Sequence, residues 1–275
     1  MSSKGFLIYA SGKEFVTQAY LCALSIRASG NKYPVSIVTN DKLSAKYKKV
    51  FDKVVDIPWY KETTSRFQTE HRWKNYHATP YDETIVLDSD VLVQQDLEAF
   101  WSLMKNYDLY YPSRVFTYRK ELITNSFYRK AFVKNNLPSV YNTLHYFKKC
   151  DLCKEYYTWV ELICNNWELF YGNFCQEFYP EQPSMDITAA IAAKIMNIDT
   201  QFTNATLDLP MIVHMKPAIQ NWLNETSSWQ DRVGSYIADD VTLKVGNHLQ
   251  DTVFHYTEND FVTDAIIRKY EQCQN

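Results

Sequence analysis

The segment Tyr81-Asp-Glu-Thr-Ile-Val-Leu-Asp88-Ser-Asp90-Val-Leu-Val93 constrains this chain more than any other. Ile85, Val86 and Leu87 form a short apolar run behind the turn signal Pro80-Tyr-Asp-Glu, the pattern of a buried strand. Two carboxylates, one residue apart, follow it. In extended backbone residues i and i+2 face the same side, so Asp88 and Asp90 are expected to project together from the strand tip. Like charges held that close oppose each other's ionisation. An isolated Asp-X-Asp is most often a solvated turn. Here a second apolar run, Val91 to Val93, follows at once, so the pair interrupts a buried element. A divalent cation removes the conflict, and hard oxygen ligands suit magnesium, manganese or calcium.

The upstream sequence supplies a frame for that tip. Phe6-Leu-Ile-Tyr9 reads as a strand, Ala10-Ser-Gly12 as a small-residue turn, and Val16, Ala19, Tyr20, Ala23 and Leu24 recur at helical spacing. Val35-Ser-Ile-Val38 is the next strand, closed by Thr39-Asn-Asp41. Strand, helix, strand at this spacing is a βαβ unit, which predicts a mostly parallel sheet flanked by helices. Ligands of such sheets sit at the carboxyl ends of the strands, where Ser11-Gly12, Thr39-Asn-Asp41 and Asp88-Ser-Asp90 are all expected. Val54-Val-Asp56 and Leu109-Tyr-Tyr111 read as further strands, and Thr69 to Tyr76 as a helix entering the Asp-Ser-Asp strand. Asp96 is expected to cap a helix bearing Leu97, Phe100, Trp101 and Met104. Ser184 is expected to cap another bearing Ile187, Ile191 and Ile195, with Asp186 in its first turn, where the helix dipole alone accounts for a carboxylate. Two later apolar runs each end in a histidine, Met211-Ile-Val213 at His214 and Thr252-Val-Phe254 at His255. Residues 113 to 180, rich in aromatic and basic side chains, read as an insertion or acceptor region.

Composition narrows the function classes. The apolar fraction of 46% and charged fraction of 22% are those of a globular protein able to bury a core. A formal net charge of -3 advertises no nucleic-acid binding. The chain contains neither Gly-x-Gly-x-x-Gly nor Gly-x-x-x-x-Gly-Lys-Ser/Thr, which disfavours a dinucleotide fold and a P-loop NTPase. With only six glycines, phosphate binding must rely on metal and side chains. The six cysteines are scattered, as in a reducing compartment. Cys150 and Cys153, with only His145 near, make a poor zinc site. No run reaches transmembrane length, and Met1-Ser-Ser-Lys-Gly5 leads straight into a strand-like run. The expectation is a cytoplasmic protein forming one domain over residues 1–275, with a nucleotide-binding half (1–112) and an acceptor and sugar half (113–275).

The βαβ start, the Asp-X-Asp after an apolar strand and the late histidine together resemble a GT-A glycosyltransferase. The likeness is to family 8, the glycogenin and bacterial galactosyltransferase group. Tyr81 to Asp90 matches that family's metal motif and its approach. The resemblance is clearest over the first hundred or so residues and continues more weakly to about residue 257. It implies a GT-A nucleotide-diphospho-sugar transferase fold, a Mn2+ or Mg2+ ion on Asp88 and Asp90, and a late histidine completing the ion's shell. That histidine is His214 or His255: His214-Met-Lys216-Pro217 has the family's Lys-Pro without its glycine and spacing, whereas Phe254-His255-Tyr-Thr257 has the strand without the Lys-Pro-Trp. Lys216 resembles the lysine that contacts the diphosphate. Arg72, with Lys74 as the alternative, has the spacing of a basic residue that contacts the donor. Ala10, Ser11, Thr39 and Asp41 fall where the family binds nucleotide, and Ser89 lies within the metal motif. Asn142, in Tyr141-Asn142-Thr143, falls near the sugar. Asp186 resembles the aspartate of an Asp-Gln pair whose glutamine is replaced here by Ile187.

The chemistry these residues imply is transfer of a sugar from a nucleotide-diphosphate sugar to an acceptor hydroxyl; the resemblance implies a UDP-sugar donor and retention at the anomeric carbon. The acceptor is left open among a glycan, a protein, a small molecule and a modified nucleic acid. Rival readings are a non-catalytic nucleotide-sugar or carbohydrate-binding protein on the same fold, a nucleotidyltransferase, which wants a Gly-rich loop, and a metal-dependent phosphohydrolase, which wants more ligands than one Asp pair.

Overall fold

The computed structural model describes residues 3–63, 68–124, 129–176, 182–204, 207, 209–215 and 228–274. Its main sheet has six strands: β1 (Lys4–Tyr9), β2 (Val35–Val38), β3 (Lys53–Val55), β4 (Glu83–Leu87), β6 (Leu109–Tyr110) and β7 (Leu144–Lys148), in the order β3-β2-β1-β4-β7-β6. β3, β2, β1 and β4 run parallel, while β7 is antiparallel to both β4 and β6. The central strands read as unbroken apolar runs because both faces are covered. Phe6, Ile8, Ile85 and Leu87 pack on one side with the helix Lys13–Ala28; Leu7, Tyr9 and Val86 pack on the other with the helices Asp151–Asn165 and Met185–Ile195. Burying each such aliphatic side chain contributes about 1.5–3 kcal/mol.

The remaining strands form two small sheets. β5 (Val91–Val93), β8 (Ile212–His214) and β12 (Val253–His255) pair in the order β5-β12-β8, with β12 antiparallel to β5 and parallel to β8. β9 (Ser235–Ile237), β10 (Leu243–Val245) and β11 (His248–Gln250) make an antiparallel meander. The chain therefore leaves the main sheet at Leu87 and joins the second sheet at Val91. Asp88-Ser89-Asp90 is the hinge between the two.

Three local expectations change. Leu97 is the N-cap of the helix Glu98–Met104, while Asp96 accepts from the Glu98 N–H at 2.9 Å, a turn-type bond made by a carboxylate one residue early. Ser184 holds the N-cap position of Met185–Ile195 without a side-chain capping bond. Residues 113–180 are not simply an insertion: they contribute β7, which completes the main sheet beside β4. An antiparallel strand reached through a long excursion carries no βαβ signature. Among the described residues no helix is long and apolar enough to cross a membrane.

Candidate active site

Asp88, Asp90 and His255 come together at the junction of the two sheets, with one ligand atom from each within 4.8 Å of the others. The register explains how residues 165 apart in sequence meet. β12 runs antiparallel to β5, so its last residue, His255, pairs with Val91, the first residue after Asp90. Tyr256 N–H donates to the Asp90 carbonyl at 3.2 Å and locks that end. His255 Nε2 then lies 3.0 Å from Asp90 Oδ2, and its Nδ1 lies 2.9 Å from the Thr143 hydroxyl. A hydroxyl on Nδ1 fixes the ring and directs Nε2 toward the carboxylates, the outer-shell arrangement usual at metal histidines. Asp88 takes a different cation: Arg72 donates to its Oδ1 at 2.8 Å.

His214 ends β8, the parallel neighbour of β12, and is in register with His255. Its ring stacks on that of His255 with centroids 4.5 Å apart and an interplanar angle of 6°. The group of three includes His255 and not His214. Of the two basic candidates, Arg72 reaches Asp88, whereas Lys74 is 3% exposed and donates to the Trp59 carbonyl at 2.9 Å. They diverge because the short 3-10 helix Thr69–Lys74 turns Arg72 toward the strand tips and Lys74 toward the preceding loop. Lys216 lies outside the described residues.

The segment 140–143, just before β7, ties the site together. Thr143 accepts the Asp88 N–H on its carbonyl at 2.9 Å and contacts His255 through its hydroxyl. Asn142 N–H donates to Asp186 Oδ1 at 2.8 Å, which brings the first turn of the helix Met185–Ile195 to the cluster. Asn142 Oδ1 is buried with no hydrogen-bond partner among the described residues. Arg72 Nε is in the same condition.

The nucleotide-side candidates form a separate, linked group. Asp41 Oδ2 accepts the Gly12 N–H at 2.7 Å and the Thr39 hydroxyl at 3.3 Å. Gly12 has φ 99 and ψ 143, a conformation essentially restricted to glycine, and it opens the helix Lys13–Ala28. Ala10 is packed beneath this turn, its N–H donating to the Val38 carbonyl at 3.0 Å, and Ser11 is buried beside it. Ser89 donates to Gln18 Oε1 at 3.1 Å, and Gln18 donates in turn to Asn259 Oδ1 at 2.6 Å, beside a cavity of about 340 Å³ that Lys13 and Thr17 also line. The three loops predicted at strand carboxyl ends thus lie around one edge of the sheet.

Charge balance follows from these contacts. Burial pushes the Asp88 carboxyl up, and the neighbouring Asp90 charge adds to this, against the pull of Arg72. Burial acts on Asp90 in the same direction, but the charge and hydrogen bond of His255 outweigh it and hold this carboxyl below the usual range. Burial works against protonation of His255, and Asp90 overcomes it, so the imidazole is raised. Burial pushes Asp186 up to about 6, with Arg129 opposing.

Two carboxylates and one imidazole at this spacing form a donor set that fits a divalent ion. The carboxylates are hard and anionic, the nitrogen is borderline, and their ligand atoms already converge. Cys150 and Cys153 form no such group among the described residues; His145 Nε2 instead lies 3.0 Å from the Tyr157 hydroxyl, and Cys153 Sγ contacts the Asp108 carbonyl. Arg129 and Gln18 carried no signal in the sequence, and Thr143 was marked only as the neighbour of Asn142.

No curated protein matches the chain. Similar solved structures include the galactosyltransferase LgtC in complex with donor and acceptor sugar analogs, at 12% identity, a TM-score of 0.52 and coverage of 98% of this chain and 94% of that one. Mouse xyloside xylosyltransferase 1, apo form, is 10% identical, with a TM-score of 0.52 over 95% of this chain and all of the other. The bifunctional enzyme WbbM is 12% identical with a TM-score of 0.52, and 99% of this chain aligns with 49% of its length. These likenesses show the GT-A fold. The family model described as "Mannosyltransferase putative" matches residues 3–148, a span that contains Arg72, Asp88, Asp90 and the 140–143 segment and stops short of Asp186 and His255. The chain belongs to this mannosyltransferase family and is a glycosyltransferase of the GT-A fold.

Proposed function

We propose that the protein transfers a sugar from a nucleotide-diphosphate sugar to an acceptor hydroxyl, with Asp88, Asp90 and His255 holding a manganese or magnesium ion. The convergence of these three side chains is the observation that carries the reading. The family description points to a mannosyl group, and the family 8 likeness to a UDP-linked donor and to retention. We read residues 1–275 as one catalytic unit, with nucleotide bound by the half 1–112 and sugar and acceptor by the half 113–275.

When bound, a divalent ion at this position supplies Lewis acidity that neutralises charge on a departing diphosphate. The protein's own groups do the rest. Arg72 holds Asp88 through Nη1, and its guanidinium sets a fixed positive charge beside the strand tip, where a departing diphosphate would develop negative charge. Thr143 keeps His255 oriented, and the loops at Ser11, Thr39 and Asp41 receive the nucleoside. Asp186, fixed by the Asn142 N–H, accepts a sugar hydroxyl and carries negative charge toward the positive character that develops at the anomeric carbon.

The test is a thermal-shift panel of UDP- and GDP-linked sugars, mannosyl donors included, with and without manganese. The expected result is a rise in Tm with one nucleotide that requires the metal and disappears in Asp90→Ala. Product formation with that donor, read for anomeric configuration by NMR, completes it. Metal-independent stabilisation that survives Asp90→Ala, without turnover, would replace this reading with that of a nucleotide-sugar-binding protein.

A further inference from the structure

Arg129 stands outside every motif in the sequence, yet it is the buried cation on the sugar side of the cluster. The residue is 8% exposed, and its guanidinium makes three contacts toward the site. It donates to the Val140 carbonyl at 2.7 Å, lies over the Tyr141 ring with its carbon 3.5 Å from the centroid, and places Nη1 4.0 Å from Asp186 Oδ2. Phe132 closes a further side, its ring centroid 4.5 Å from the same carbon. The first two contacts grip the residues directly before Asn142; the third sets the cation 4.0 Å from the carboxylate that the Asn142 N–H holds. One side chain therefore spans the two elements that carry the proposed sugar-facing groups.

We propose that Arg129 is a positioning residue that sets the charge and orientation of Asp186 for the donor sugar. The proposal rests on the reading of Asp186 given above. The physical argument begins with burial. A carboxylate removed from water favours its neutral form unless a cation stands within about 4–6 Å, and such a cation lowers the pKa by about 1–3 units. Among the described residues, the charges of Arg129, Asp88 and His255 act on Asp186, and the phenols of Tyr141 and Tyr111 lie within its field. Asp88 opposes ionisation of Asp186, and Arg129 is the strongest charge favouring it. The planar guanidinium stacks on Tyr141 while its Nη1 donates to Val140 and stands 4.0 Å from Asp186, and an ammonium cannot reproduce the stack.

The experiment compares wild type, Arg129→Gln, Arg129→Lys and Asp186→Asn, together with the double variants that add Asp186→Asn to each Arg129 substitution. Tm is measured from pH 4 to 9 with metal chelated, and kcat and donor KM are measured over the same range with manganese. The Tm difference between each chain and its Asp186→Asn counterpart reports Asp186 ionisation without relying on turnover. The expected inflection lies near pH 6 in wild type and moves up by about one unit or more in Arg129→Gln. The acid limb of kcat moves with it, donor KM changes little, and Arg129→Lys recovers most of the shift but only part of kcat. An inflection that stays in place in Arg129→Gln overturns the proposal. Should the Gln variant not fold, Arg129→Met serves as the second neutral variant, and an inflection that stays in place there does the same. Unchanged turnover in Asp186→Asn would instead sink the sugar-facing role of Asp186, while the Tm inflection would still decide the role of Arg129.

Discussion

Asp90 and Asp186 carry the same carboxyl group at the same site, and the fold moves them in opposite directions. Burial penalises both ionised forms. Asp90 has a direct partner, His255 Nε2 at 3.0 Å, and stays below the usual carboxylate range. Asp186 has a backbone N–H at 2.8 Å, but its cation is 4.0 Å away, and it rises to about 6. The group that hydrogen-bonds Asp90 is itself a titratable base, whereas the one that hydrogen-bonds Asp186 is a neutral backbone N–H, and the two carboxyls shift in opposite directions. The first environment suits a metal ligand, which must be deprotonated. The second suits a group whose charge matters only once substrate has arrived.

Substitutions at the first carboxylate should have the largest effect. Asp90→Ala or Asp88→Ala should abolish metal-dependent transfer, a loss exceeding the roughly 10–100-fold that an outer-shell partner costs. Turnover within tenfold of wild type at saturating manganese would break the contrast at its strong end. The outer shell comes next. Thr143→Val should weaken manganese binding by roughly 10–100-fold in a calorimetric titration, because His255 loses the hydroxyl that orients it. Lys74→Met provides the control: Lys74 donates to Trp59 and not to the cluster, so manganese affinity should be unchanged.

The second carboxylate should show the reverse sign. Asp186→Asn keeps an oxygen for the Asn142 N–H and removes a buried charge. A carboxyl raised in the folded state binds more protons there than in the unfolded chain. Its contribution is therefore most favourable below the unfolded pKa and is lost as pH rises through about 6. The Asn variant should be more stable than wild type at pH 7.5 by about 1–3 kcal/mol, with the gap closing toward pH 4, even as transfer activity falls. An equal gap at both ends of the range would show that Asp186 does not titrate there.

The smallest effect concerns the metal-free pair itself. Asp90 is depressed, so its contribution is present above the unfolded pKa and lost as pH falls through its lower folded value. His255 is raised, so its contribution is present below the unfolded pKa and lost as pH rises through its higher folded value. With metal chelated, the Tm difference between wild type and Asp90→Asn should be greatest between roughly pH 4 and 6.5, the ordinary values of the two groups. Protons and metal should also compete for His255, so manganese affinity should fall as pH drops into the range where the imidazole is charged.

The parts of this protein that follow local rules were legible without coordinates. Phe6–Tyr9, Val35–Val38 and Ile85–Leu87 are strands because fully buried parallel strands are unbroken apolar runs. The Asp-Ser-Asp tip was legible because two charges between two such runs have few other uses. β7 was not, because its sequence Leu-His-Tyr-Phe-Lys places a histidine in a central strand, where stacking on Tyr111 and a bond to Tyr157 help to accommodate it. The choice between Arg72 and Lys74 turned on which way a short 3-10 helix faces, and two residues of spacing do not encode that.

Sequence by itself determined the βαβ frame, the carboxylate pair and the two histidines that end apolar strands, since hydrophobic period and strand-end chemistry are local. Tertiary structure decided which histidine joins the carboxylates, because strand order and register set that: β12 lies between β5 and β8, so His255 meets Asp90 and His214 stacks behind it. It also brought Arg129 to Val140, Tyr141 and Asp186, partners from segments that only folding brings together. Contacts between distant segments depend on the packing of the whole chain, and no short stretch of sequence contains that information.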